Sequence, residues 1–222
     1  MMPDAFLFDM DGLILDSERV YGAVARDILV PHGFAAHAID AHFLTLVGVS
    51  GDAARHRLAL FLGPDFDLNG FNVAWHAEVS RRVAETVPLR PTVRDSLERL
   101  AGQGARMAVV TSTNGDTARK HLDKAGLLRH FEAVVGGNEV PARKPDPAPY
   151  LQAATALAVD PTRCAAFEDS DSGITAAVRA GCIAVQVPDL RPVDTPLPSL
   201  GQRVAPDLWA AIEEVGGFGI HL

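Results

Sequence analysis

Asp9 and Asp11 stand two residues apart, immediately after a short apolar run from Ala5 to Phe8. Three more polar groups sit in comparable places. Thr111 and Ser112 follow the apolar run Met107 to Val110, Lys144 lies in the loop beyond Ala133 to Val135, and Glu168 and Asp169 follow Cys164 to Phe167. If these segments meet, several carboxylates share one crevice and repel one another, and some must protonate or be neutralised. A hard divalent cation resolves the conflict, and an all-oxygen donor set with room for waters and a phosphate oxygen is what magnesium prefers. Lys144 adds positive charge and Thr111 a hydroxyl donor. A set of this kind suits phosphoryl transfer, in which positioning and charge neutralisation dominate. One carboxylate can attack phosphorus and form an acyl phosphate, and a second, two residues on, can protonate the leaving alkoxide and then activate water.

The elements that must deliver these groups are legible as alternating runs. Ala5 to Phe8 reads as a buried strand, and Met107–Val110, Ala133–Val135, Cys164–Phe167 and Cys182–Val187 read likewise. Helical faces separate them: Val93, Leu97 and Leu100; Ala118, Leu122 and Ala125, closed by Gly126; one opening at Asp146-Pro147; Ile174 to Ala180, stopped by Gly181; and a last face of Leu208, Ile212 and Val215. Strands alternating with short helices imply a Rossmann-like α/β core, a doubly wound parallel sheet with right-handed crossovers. In such a sheet the carboxyl ends of the strands share one edge, where ligands bind. Residues 188–205 carry Pro188, Pro192, Pro196 and Pro198 and read as an irregular loop.

Between residues 17 and 85 the pattern is helical only. Ser17 reads as an N-cap, Val20, Val24 and Ile28 lie on one face before Gly33, and residues 52–62 and 71–84 carry further helical stripes. The expected organisation is a core of residues 1–16 and 86–222 with a helical insertion, residues 17–85, after the first strand. Two chain crossings, near 13–17 and 85–91, make a hinge.

Composition narrows the possibilities. A net charge of −8 in 222 residues argues against a nucleic-acid or anionic-membrane surface, which would need a basic stripe. No stretch approaches the roughly 20 apolar residues of a membrane span, and Met1-Met2-Pro3-Asp4 lacks the features of a secretory signal. Cys164 and Cys182 are apolar-flanked thiols and read as core residues. A cytoplasmic protein is expected, monomeric for want of any sign of an obligate interface, acting on a small phosphorylated metabolite.

Singly, each motif has a plainer explanation: a turn for Asp9 to Gly12, a helix cap for Thr111 or Ser112, a solvated Lys144, and helix-start acids for Glu168 and Asp169. Jointly they do not. Phe8-Asp9-Met10-Asp11-Gly12, Val110-Thr111-Ser112, Lys144-Pro145-Asp146-Pro147 and Phe167-Glu168-Asp169-Ser170-Asp171-Ser172-Gly173 resemble, in order and spacing, the four motifs of the haloacid dehalogenase superfamily. The resemblance implies that Asp9 is nucleophile and metal ligand, and that Asp11 is the general acid/base with its backbone carbonyl on the metal. It further implies that Thr111 and the Ser112 amide hold the phosphoryl group, that Lys144 neutralises it, and that Asp169 binds Mg2+, with Glu168 binding it directly or through water. The helical insertion resembles the family's cap.

Asp11 also separates this chain from the dehalogenases, which lack an acid there, and the absence of lysine from residues 17–85 separates it from the phosphonate-cleaving relatives. Asp11 to Glu18 resembles the branch of sugar-phosphate and nucleotide-type phosphatases that includes β-phosphoglucomutase. Tyr21 and Gly51 stand where the mutase pattern has a histidine and a phosphate-gripping arginine, which favours a hydrolase over a mutase. Glu18 is the first candidate for substrate contact from the insertion, followed by Tyr21, Ser50, Trp75 and His76, although Trp75 also fits the apolar stripe. Arg55, Arg57, Arg81 and Arg82 read as solvated faces. Two other classes compete: a phospho-accepting receiver, which would hold a stable phospho-aspartate, and a binding module descended from a phosphatase.

Overall fold

The computed structural model describes residues 2–47, 51–191 and 195–219. Ser50, with Gly48 and Val49, lies outside them, as do Met1 and Pro192. Strand β1 (Ala5–Phe8) leads into α1 (Ser17–Leu29), a short 3-10 turn over Val30–His32, α2 (Ala36–Leu44), α3 (Gly51–Leu62) and α4 (Leu68–Thr86). The chain then alternates through α5 (Val93–Gly102), β2 (Met107–Val110), α6 (Gly115–Lys124), β3 (Ala133–Val135), α7 (Ala148–Ala156), β4 (Cys164–Glu168), α8 (Asp171–Arg179), β5 (Ile183–Gln186), β6 (Arg203–Val204) and α9 (Leu208–Glu214). The strands form one parallel sheet in the order β3-β2-β1-β4-β5-β6, the expected doubly wound α/β arrangement.

Side-chain alternation along β1 builds two cores. Phe6 and Phe8 turn to one face with Val109, Phe167 and Val185, under α5, α6 and α9. Ala5 and Leu7 turn to the other with Ala108, Ala166 and Ala184, under α7 and α8. Alanine on that second face lets the helices come close to the sheet. On the first face, Phe167 stacks on Phe8 at 5.1 Å between ring centroids and on Phe6 at 6.4 Å.

Register then levels the strand ends. Phe8 pairs with Val109 on one side and Phe167 on the other, so Asp9, Val110 and Glu168 reach the same height. The ladder runs on past the strands: the Asp9 amide donates to the Phe167 carbonyl (3.0 Å) and the Thr111 amide to the Val135 carbonyl (3.0 Å). Both residues are therefore fixed by sheet geometry before any side-chain contact is counted.

The helices α1 to α4 pack together around Val24, Phe43, Phe71, Trp75, Val79 and Val83. The chain leaves and re-enters the sheet region along paired segments: the Asp16 amide donates to the Pro88 carbonyl (2.9 Å), the Arg90 amide to the Ile14 carbonyl (3.0 Å), and Leu15 bridges Leu89. Among the described residues no helix is long and apolar enough to cross a membrane.

Several local expectations change. Ser17 does not cap α1; Asp16 holds that position without a side-chain cap bond, and the Ser17 hydroxyl donates instead to Asp11 Oδ1 at 3.1 Å. The helix expected from Asp146-Pro147 begins at Ala148, and Asp146 Oδ1 accepts from the Ala148 amide (2.9 Å). The proline-rich stretch leads into β6, which extends the sheet beyond β5. Cys182 precedes β5 and is half-buried, while Cys164 is buried in β4; both thiols are free. Helix α2 was not anticipated.

Phe167 is fully buried against two rings, so Phe167→Ala leaves a large cavity under the central strand. Chemical denaturation should show a loss of about 3–5 kcal/mol. A loss under about 1 kcal/mol, typical of exposed positions, would contradict this packing.

Candidate active site

The four polar segments converge on one edge of the sheet. A cavity of about 220 Å³ there is lined by Asp9, Asp11, Glu18, Thr111, Ser112, Lys144, Asp169, Ser170 and Ser172. Of the residues expected from the sequence, Asp9, Asp11, Glu18, Thr111, Ser112, Lys144 and Asp169 therefore line it, Glu168 sits beneath, fully buried, and Tyr21, Trp75 and His76 do not line it. Asp9, Glu168 and Asp169 each offer a carboxylate oxygen, and these oxygens lie within 4.8 Å of one another.

Lys144 is the cation among them. Its side chain is 4% exposed, and Nζ lies 2.5 Å from Asp9 Oδ1, 2.5 Å from Glu168 Oε1 and 2.8 Å from the Val110 carbonyl oxygen. Three donors thus meet three acceptors, the full capacity of an ammonium. Burial works against the charged lysine, but the flanking Asp9 and Glu168 carboxylates hold its pKa above the usual value.

One lysine does not offset three acids. Burial pushes the Asp9 carboxyl well above its ordinary range; Lys144 pulls it back, and the charges of Glu168 and Asp11 raise it again. Burial also raises Asp169, and Asp9 and Glu168 add to the effect. An all-oxygen set in which acids hold their protons too tightly fits a hard dication such as magnesium, whose charge would favour the ionised forms.

Asp11 occupies a different environment. Its Oδ2 accepts from the Thr113 hydroxyl (2.7 Å) and more weakly from Thr111 (3.4 Å), and its Oδ1 accepts from Ser17. The chain turns sharply after β1. Gly12 has φ +82°, and a Cβ there would lie 2.2 Å from Asp169 Oδ2, so only glycine permits both the turn and the carboxylate beside it. Thr113 was missed in the sequence. The run Thr111-Ser112-Thr113 contains the signal, a hydroxyl at both ends of a three-residue turn, but periodicity does not say which of them faces Asp11.

Among the residues of the helical segment, Glu18 lines this cavity and also a second one of about 410 Å³, with Tyr21, Arg55, Asn72, Trp75 and His76 among its walls. Trp75 remains largely core, 7% exposed, and its indole N–H donates to the Tyr21 carbonyl (2.9 Å). His76 is exposed beside the Tyr21 ring at 5.8 Å. Arg55 donates to Asn69 (2.6 Å), Arg57 to the Thr45 carbonyl, and Arg81 and Arg82 both pair with Glu78.

Residues 6–187 match the profile of the haloacid dehalogenase-like hydrolases, and the chain belongs to this family. Within it, the chain is a phosphoric monoester hydrolase. It is 33% identical over 178 residues to a phosphorylated carbohydrates phosphatase of Thermotoga maritima, covering 80% of this chain and 82% of that one. It is 34% identical over 189 residues to a fructose-1-phosphate phosphatase of Escherichia coli, covering 82% and 94%. Its fold matches a family hydrolase of Deinococcus radiodurans R1, solved with phosphate and sodium, at a TM-score of 0.75 and 26% identity over 97% of both chains.

Burial and the charges of Asp11, Asp189 and Asp16 push Glu18 up from 4.5 to about 7. A carboxyl that holds its proton more tightly when folded stabilises the fold below its unfolded pKa, and that stability is lost as pH rises through the folded value. In metal-free protein, Glu18→Gln should therefore remove part of the decline in melting temperature between about pH 4.5 and pH 7. Superimposable wild-type and variant profiles would show that Glu18 does not titrate there.

Proposed function

We propose that the chain is a magnesium-dependent phosphatase of small phosphorylated sugars, working through a phospho-aspartate on Asp9. The observation that carries this reading is the lodging of the Lys144 ammonium between Asp9 and Glu168, with Asp169 within reach, at the edge where four separated segments meet. The Asp9 carboxylate attacks phosphorus and the ester oxygen leaves. Asp11, held by hydroxyls, gives that oxygen its proton and then takes one from the water that attacks the acyl phosphate. Thr111 and the Ser112 amide hold the phosphoryl oxygens while Lys144 offsets their charge. Asp9, Asp169 and the Asp11 carbonyl would hold magnesium, with Glu168 behind them, and the ion would supply the further positive charge that the crowded carboxylates and the phosphoryl group require.

In this reading residues 17–85 are a cap over a core of residues 1–16 and 86–222, and the cap excludes water while the phosphoryl group moves. Glu18 reaches from the cap into the catalytic cavity and contacts the leaving group. The larger cavity beside it, with aromatic walls and Asn72, suits a hydroxylated carbon skeleton. The relatives that act on phosphorylated carbohydrates support the same substrate class.

With magnesium, the purified protein should release phosphate from members of a panel of sugar phosphates, and chelation should stop it. Asp9→Asn should lower turnover by roughly 10³-fold or more with an unchanged circular dichroism spectrum. Undiminished turnover in that variant would remove Asp9 from the mechanism, and a persistent phospho-aspartate without turnover would favour a receiver.

A further inference from the structure

Lysine carries its charge on a flexible four-carbon stem, so a lysine that must meet a transferring phosphoryl group needs to be held in place. Two of the three acceptors around Lys144 are set by the sheet itself: the Val110 carbonyl ends β2, and Asp9 continues the β1 ladder. The third, the Glu168 carboxylate, ends a long side chain that must itself be fixed.

Resting on the role given above to Lys144, we propose that Tyr150 is a positioning residue: its hydroxyl fixes Glu168, and Glu168 in turn holds the lysine ammonium against Asp9. The Tyr150 hydroxyl donates to Glu168 Oε1, the same oxygen that receives Lys144, while Ser170 Oγ donates to Oε2 at 3.2 Å. Both carboxylate oxygens are thus engaged by protein donors. The first turn of α8 closes the remaining side, where a Cβ on Gly173 would lie 1.9 Å from Glu168 Oε2. Tyr150 touches the other member of the pair too, its ring centre lying 5.4 Å from Lys144 Nζ, within cation–π range.

Packing alone does not call for this hydroxyl. Tyr150 is fully buried on a face of α7 shared with Ala153, Ala154 and Leu157, where a phenylalanine ring would fill the same space. A buried hydroxyl is unfavourable without a partner, and here its partner is the carboxylate that grips the lysine. Lys144 and Tyr150 also come from one continuous piece of chain, the loop before α7 and the first turn of that helix, so the lysine and its brace move together.

Tyr150→Phe isolates the hydroxyl. Turnover should fall about tenfold with KM within about twofold, the pattern for a misplaced charge-stabilising group. In a Glu168→Gln background the same change should cost less than about twofold, because the hydroxyl acts through that carboxylate. A crystal structure of substrate-free Tyr150→Phe should show Lys144 Nζ drawn away from Asp9 Oδ1 relative to the wild type, a readout that needs no turnover. If the wild type releases phosphate from nothing, the reading of function fails while the lysine's position still decides this one. A full-rate variant, losses that simply add, a rise in KM alone, an unmoved lysine, or a variant that does not fold would each overturn the role and leave Tyr150 a packing residue.

Discussion

Negative charge gathered at one edge of a parallel sheet is the constraint around which the rest of the molecule is arranged. Three carboxylates present oxygens within 4.8 Å of one another, two of them displaced well above their ordinary pKa, and a single ammonium stands among them. In a low-dielectric site such crowding destabilises the ionised forms, and water is too scarce to screen it. What relieves the strain is positive charge. Lys144 provides one unit, and a dication would supply the rest, for the carboxylates and for an incoming anionic phosphoryl group alike. The chain carries a net charge of −8, so attraction for an anionic substrate has to be created locally rather than by the surface as a whole.

The backbone meets that constraint by register and by the omission of side chains. Parallel pairing with β1 at the centre brings the ends of β1, β2 and β4 to one level, and the hydrogen-bonded ladder continues through Asp9 and Thr111. At Gly12 and Gly173 a Cβ would collide with the very carboxylates that matter, Asp169 and Glu168. The alanine-rich face of the sheet admits α7 closely enough for Tyr150 to reach the underside of the lysine. Fold and site are therefore not separable here: the close approaches at Gly12 and Gly173 are the places where carboxylates are held at the edge.

This relation explains what the sequence reveals and what it conceals. Strands β2 and β3 are legible to the residue, because their buried runs stop sharply, one at Thr111 and the other at Gly136-Gly137. Helix α2 is not, since Ile39 and Phe43 are too few to set a period among alanines and histidines. Strand β6 has two exposed residues behind a proline-rich stretch, and its pairing depends on β5 rather than on any pattern of its own. Ser17 resembles a cap from its position, yet its hydroxyl is taken by Asp11, a tertiary partner that local rules do not contain. The ordered acids, hydroxyl and lysine announce the site, whereas Thr113 and Tyr150 lie in segments that read equally well as turn and core.

Asp9 and Asp11 show how environment divides labour between two identical side chains. Asp9 lies against an ammonium and beside two other carboxylates, a place suited to an anion that attacks phosphorus with its charge partly offset. Asp11 lies two residues on, just before the turn at Gly12, among hydroxyls from Ser17, Thr111 and Thr113. Neutral hydroxyls can accompany either protonation state, because a hydroxyl can donate to a carboxylate or accept from a carboxylic acid. A lysine cannot, having donors alone. In the proposed mechanism, the residue that must keep its charge is the one placed against the lysine, and the residue that must gain and lose a proton is the one placed against hydroxyls. The left-handed Gly12 turns the chain away immediately after both, with no Cβ to collide with the Asp169 carboxylate beside them.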